Sequence, residues 1–197
     1  MAGFECIASV GTSLERALTA RFAEITIPGA AGTRAVLART EDFKAAAGGP
    51  IRAPALSIFL YRVDFNKTMR AAWSSVGSLD GTAHLALDLH YMLTPWAKDA
   101  SVEHAILGAA IQYLEMNPIM SGPLLTTSGG WATNEAVQLV LEDTPTEWVM
   151  RTFDSLPTDF KLSVPYLARV LVLDGSARRG APGVTTAITG ITASATP

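Results

Sequence analysis

Strict alternation in the run His84-Leu-Ala-Leu-Asp-Leu-His-Tyr-Met-Leu-Thr94 is the feature that most narrows what this chain can fold into. Leu85, Leu87, Leu89, Tyr91 and Leu93 recur at every second position, the period of a β-strand with one apolar face. The other face carries His84, Ala86, Asp88, His90 and Met92, which the pattern leaves to water or a partner. A second run of strand character, Leu56–Asn66, precedes it. The connector Lys67–Thr82, which contains Trp73 and Gly77, is longer than a tight hairpin needs. The pair reads as scaffold rather than as an active site.

Around this pair the chain alternates helical and extended signals. Ile7, Val10, Leu14, Ala17, Leu18 and Phe22 recur mostly at steps of three and four, which predicts an opening helix to about Arg21 despite Gly11. Ile25–Pro28 and Arg34–Ala38 are short strand candidates, and Lys44–Ala55 is a loop by its Gly and Pro content. A second helix starts at Asp99 or Ser101, buries Val102, Ile106, Ala109, Ala110, Tyr113 and Leu114, and ends at Asn117-Pro118. Ser121–Thr133 is a Gly/Ser/Thr loop around Trp131, and Val137–Glu142 is a strand. Thr144-Pro145-Thr146-Glu147 opens a third helix with Thr144 as cap and Pro145 at the first turn. That helix presents Trp148, Thr152, Phe153 and Leu156. The last strand, Leu162–Leu173, carries Pro165, whose missing N–H suggests an edge or a bulge. The expected architecture is a single α+β domain over 1–173, a mixed or antiparallel sheet flanked by about three helices. A flexible tail over 174–197 is expected to follow.

Composition excludes several function classes. Of 197 residues, 17% are charged, below the roughly 25% usual for globular proteins, and 49% are hydrophobic. So few charges suit a protein that covers part of its surface with a partner. The net charge is −3, and no basic cluster exceeds Arg178–Arg179, so nucleic acid is not an expected partner. A lone cysteine, Cys6, has no internal disulfide partner and is expected to be an apolar core residue in a reducing cytoplasm. Glu5 stands where a signal peptide is basic, and no run approaches the ~18 apolar residues of a membrane span.

Catalytic patterns are absent from the sequence. Gly129-Gly130 lacks the Lys of a phosphate loop, and neither a Gly-x-Ser-x-Gly elbow nor a His-Glu-x-x-His motif occurs. His84, Asp88 and His90 share a strand face and form the one candidate metal or enzyme site. Against it, six residues of strand separate the two imidazoles by about 20 Å, and no fourth ligand stands out. Glu142 and Asp143 sit where they favour the positive end of the next helix. The candidate interface residues are Tyr61, Arg62, Trp73, Trp96 and Trp131, because Trp and Arg at strand ends and in loops are common anchors.

Four segments in order carry a family resemblance: Ile58-Phe-Leu-Tyr-Arg-Val with Asn66 and Arg70; Leu85-Ala-Leu-Asp-Leu-His-Tyr-Met-Leu-Thr94; Ile106–Leu114 with Asn117-Pro-Ile119; and Leu162–Val170. Together they resemble the N-terminal domain of the cap, or tail-terminator, proteins of extracellular contractile injection systems, which are phage-tail-like particles. The resemblance implies a structural protein without catalysis or cofactor, assembled in the cytoplasm into such a particle. It further implies a hexameric ring on the distal end of the tail, touching the last sheath and inner-tube layers and stopping their polymerisation. A baseplate or adaptor component of the same particle is the nearest alternative, and a small metal-binding enzyme the more distant one. Arg178 and Arg179 are candidates to fix the entry of the tail, as a donated strand, onto a neighbouring subunit; a disordered terminus is the simpler reading.

Overall fold

Six strands form one sheet in the order β1-β2-β3-β6-β5-β4. In chain order they are β1 (Arg34–Ala38), β2 (Ala55–Phe65), β3 (His84–Trp96), β4 (Ile119–Ser121), β5 (Ala136–Leu141) and β6 (Val164–Asp174). The computed structural model describes residues 2–44, 49–68 and 84–174. Arg70, Trp73, Arg178, Arg179 and the tail after Asp174 therefore lie outside the described residues. β1 runs parallel to β2 and every other pairing is antiparallel, so the sheet is mixed and the fold is the expected α+β class. Three α-helices lie wholly within the described residues: α1 (Cys6–Glu24), α2 (Ala100–Met116) and α3 (Thr146–Asp154).

The main core lies between one sheet face and the helices α1 and α2. Val10, Leu14 and Leu18 of α1 and Ile106, Ala110 and Leu114 of α2 pack with Leu89, Tyr91 and Leu93 of β3. Each such side chain contributes roughly 1.5–3 kcal/mol on burial. The alternation of β3 is thus the register that places its leucines under the helices. Gly11 of α1 has a purpose in this packing. A Cβ built there would lie 3.0 Å from a methyl of Leu37 and 3.5 Å from the Tyr91 hydroxyl, so a bare backbone lets α1 approach the sheet closely.

The opposite face of β3 is not left to water, as the alternation alone suggested. His90 and Met92 are buried, because α3 and a 3-10 turn at Thr40–Phe43 cover this side. Phe43, Met92, Val149, Phe153 and Leu156 form a second apolar cluster, with Phe59, Tyr61 and Trp96 packed against it. Of the residues the helix was expected to present, Phe153 and Leu156 are buried and Trp148 is 60% exposed. With Val149 and Phe153 turned inward, the 100° step per residue carries position 148 to the flank of the helix.

Other local expectations are corrected by turn chemistry. Ile25–Pro28 forms no strand. Pro28-Gly29 instead makes a turn, closed by the Ala30 N–H on the Ile27 carbonyl (3.0 Å), with Gly29 at φ 79°. Thr144 does not cap α3; the position before the helix is Pro145, and no side chain caps it. Asp99 precedes α2 but likewise makes no side-chain cap. β6 is not an edge, since it lies between β3 and β5. Pro165 is tolerated as the second residue of that strand, where its carbonyl accepts the Glu142 N–H (3.0 Å). The irregularity of β6 comes later: Leu87 pairs Leu171 while Leu89 pairs Ala168, so β6 carries an extra residue opposite Asp88.

Both edges of the sheet are blunted. β4 has three residues. On β1, the outward Ala35 N–H donates to Thr19 Oγ1 (3.1 Å) and the Leu37 N–H to Glu15 Oε1 (3.2 Å), so α1 side chains occupy the ladder positions of a further strand.

Candidate interaction site

A bulge in β2 builds a polar cluster at the centre of the sheet. Leu60 pairs Tyr91 and Arg62 pairs His90, which leaves Tyr61 as an extra residue. The side chains of Tyr61 and Arg62, although adjacent in sequence, therefore reach the same carboxylate, the re-aiming that a bulge provides. Tyr61 Oη donates to Glu142 Oε2 (3.1 Å) and Arg62 Nη2 to Glu142 Oε1 (3.3 Å). His90 Nδ1 lies 2.9 Å from Glu142 Oε2, and its Nε2 lies 3.3 Å from Asp64 Oδ2. Arg62 Nε pairs with Asp64 Oδ2 at 3.0 Å. Two carboxylates, one guanidinium and one imidazole thus meet in one cluster and tie β2, β3 and the end of β5 together. Burial, followed by the Glu142 charge and hydrogen bond, pushes the Tyr61 hydroxyl up to about 12. Spacing in the sequence assigned Glu142 only to the helix that follows. Its role at the centre of this cluster depends on the bulge, which leaves no signal in an apolar run.

The three residues of the candidate metal face do not converge. His84 Nδ1 pairs with Asp174 Oδ1 of β6 at 2.5 Å. Asp88 accepts from Asn66 Nδ2 (3.1 Å), and His90 belongs to the Glu142 cluster. Among the described residues no group of three His, Cys, Asp or Glu side chains is arranged to hold a metal ion. A cleft of about 400 Å³ opens beside Asp64, Asn66, Asp88 and His90; its two carboxylates, Asp64 and Asp88, are already bonded to partners.

The remaining described interface candidates are half-buried and bonded within the fold. Trp96 Nε1 donates to Ser57 Oγ (2.9 Å), its ring meets Phe43 edge-on, and Lys161 sits 5.0 Å above it. Trp131 Nε1 donates to Thr126 O (2.9 Å) and Ser9 Oγ (3.0 Å). Ser13 Oγ accepts the Thr126 N–H (2.8 Å), so two buried serines of α1 hold the loop that carries Trp131. Cys6 is fully buried, and burial raises its thiol, which keeps it an apolar core group.

Exposed apolar side chains concentrate elsewhere. Of the twelve large hydrophobic residues exposed among the described ones, Leu141, Trp148, Met150, Phe160 and Leu162 fall on or beside α3. No helix among the described residues is long and apolar enough to cross a membrane.

Comparison with known proteins agrees with this architecture. One solved structure, a cryo-EM structure of the PVC sheath/tube terminator of an extracellular contractile injection system in its extended state, superposes with a TM-score of 0.54 at 16% identity. The match covers 97% of this chain and 65% of the other, so the chain spans just under two thirds of that protein. No curated protein matches. Residues 9–187 match the family described as the Pvc16 N-terminal domain; the chain belongs to that family.

Proposed function

We propose that the protein is a structural, non-catalytic tail terminator of a contractile injection system. In this reading it forms a ring, of about six subunits by the family resemblance, on the distal end of the sheath and inner tube and ends their polymerisation. The observation that carries the proposal is family membership over residues 9–187. The fold shared with a protein that is a sheath/tube terminator supports it.

The physical features agree in kind. A terminator has to bind the last layer of an assembly without offering the surface that recruits another. The exposed apolar side chains around α3 supply binding surface. The β1 edge, filled by Thr19 and Glu15, and the three-residue β4 are blunted as templates for a further strand. The members of the Glu142 cluster are bonded to one another, which suits a strut better than a reaction centre.

Localisation tests the proposal. Particles carrying an epitope-tagged copy of the chain should show label at one tail end, opposite the baseplate. Label at the baseplate would favour the adaptor role, and label along the shaft would exclude a terminator.

A further inference from the structure

β2 is longer than the strand beside it. β1 pairs Ala55–Phe59, while β2 continues to Phe65. Along Leu60–Phe65, no strand among the described residues lies on the side away from β3. The Asn66 N–H bonds the Ala86 carbonyl at 2.8 Å, which fixes the parity of this half of the strand. Asn66, Asp64 and Arg62 turn their backbone groups toward β3, and Val63 turns its N–H and C=O outward. The stretch is a ladder that accepts one more strand of about 20 Å.

Apolar side chains border this ladder. Val63 sits opposite Leu89, Phe65 opposite Leu87, and Leu85 opposite Leu173 of β6. The period of β3 puts all of them on the leucine face of the sheet. Val63, Phe65 and Leu85 are 44%, 42% and 40% exposed, so the leucine face ends in an apolar band at this end of the sheet. β6 ends here too, at Asp174 opposite His84, and residues 175–197 continue from that point.

Reach and composition name the occupant. From Asp174 to the outer side of β2 the chain has to cross about 14 Å of sheet and move about 10 Å along it, roughly 17 Å in all. Gly175–Pro182 spans up to about 26 Å. After it comes Gly183-Val-Thr-Thr-Ala-Ile-Thr-Gly-Ile-Thr192, uncharged and β-branched at seven of ten positions, the composition of a strand. We propose that Val184–Thr189 adds to the chain's own β2 as a further strand, antiparallel to Leu60–Phe65. Entering beside Phe65 and running toward Leu60, it ends where β1 takes up the edge at Phe59. Val184, Thr186 and Ile188 share one side and lie with Val63 on the apolar band. The occupant is the same chain because the short link holds the segment at about millimolar effective concentration. The ladder is filled from within and offers no template there to a neighbour's strand. This assignment stands or falls independently of the terminator role.

The test is amide hydrogen exchange of the full chain, read at Val63 with Leu89 as an internal control. The Val63 N–H should be protected in the wild-type protein at every concentration. Ile188→Pro, which removes a backbone donor and breaks the added strand, should speed its exchange about tenfold or more and leave Leu89 unchanged. Deleting Ser176–Ala181 keeps the strand sequence but leaves a link too short for the crossing, and should have the same effect. Fast exchange at Val63 in the wild type, or protection that survives Ile188→Pro, overturns the assignment. Protection that survives the shortened link and fades on dilution also overturns it, and places a second copy's tail on this edge instead.

Discussion

Tyr91 shows how a single side chain can be well packed and still strained in its chemistry. Its ring is buried in the main core, yet its hydroxyl has no hydrogen-bond partner among the described residues. A buried, unpaired hydroxyl costs roughly 1–3 kcal/mol, so Tyr91→Phe is expected to leave stability unchanged or raise it by about 1 kcal/mol. A loss above 1 kcal/mol in denaturant melts would mean that the hydroxyl does have a partner. Burial also raises the hydroxyls of Tyr91 and Tyr166, and Tyr61 is pushed from 10.0 up to about 12. An acid whose folded value lies above its unfolded value favours the folded state below the unfolded value and loses that contribution as pH rises. Between pH 10 and about 12, phenolate absorbance of the native protein should therefore lag behind that of the unfolded chain, and stability should fall. Coincident titration curves would contradict the burial described here. Gly129 is constrained for a different reason, the space around it. A Cβ there would collide with Trp131 Nε1 and lie 2.8 Å from Ser9 Oγ, so Gly129→Ala should cost about 1–3 kcal/mol by overpacking. A neutral melt would show that the loop is not fixed to α1.

At the scale of elements, helix α3 holds the second core. Phe153 is 2% exposed and packs among Phe43, Met92 and Val149. Phe153→Ala should destabilise the domain by about 3–5 kcal/mol; circular-dichroism melts check it, and a loss under 1 kcal/mol would mean that α3 is not docked as described. The same helix marks the limit of what the sequence reveals. Long amphipathic patterns were legible: α1, α2, β1, β2, β3, β5 and β6 lie close to where periodicity places them. What periodicity could not reveal is which face a later element covers. His90 and Met92 look solvent-facing until α3, more than fifty residues downstream, folds over them. The bulges at Tyr61 and in β6 were equally hidden, because an extra residue in an apolar run changes no local composition. They decide which side chains meet, and so the Glu142 cluster was missed while its members were seen singly. Ser9 and Ser13 were invisible for a related reason: small hydroxyls on an apolar helix face read as gaps, and only the returning loop at Thr126 makes them bonding partners. Trp96 and Trp131, selected as interface anchors, each spend their indole N–H inside the fold.

For the whole molecule, the balance of surface and edge matters more than any single group. A mixed sheet covered on one face by α1 and α2 and on the other by α3 leaves its ends and the solvent side of α3 for partners. Its outer strands are blunted, β1 by side chains of α1 and β4 by its brevity. A chain of this design can attach to an assembly through side-chain surfaces without extending it by strand pairing. The chain belongs to the Pvc16 N-terminal-domain family over 9–187, and the assembly proposed for it is a contractile tail. The central claim is termination, and the length distribution of particles tests it most directly. Tails purified from a strain lacking this gene, measured in electron micrographs, should be of uncontrolled length or unstable, and the gene restored in trans should recover one sharp length. Deletion tails that keep the wild-type length distribution and still contract would contradict the account.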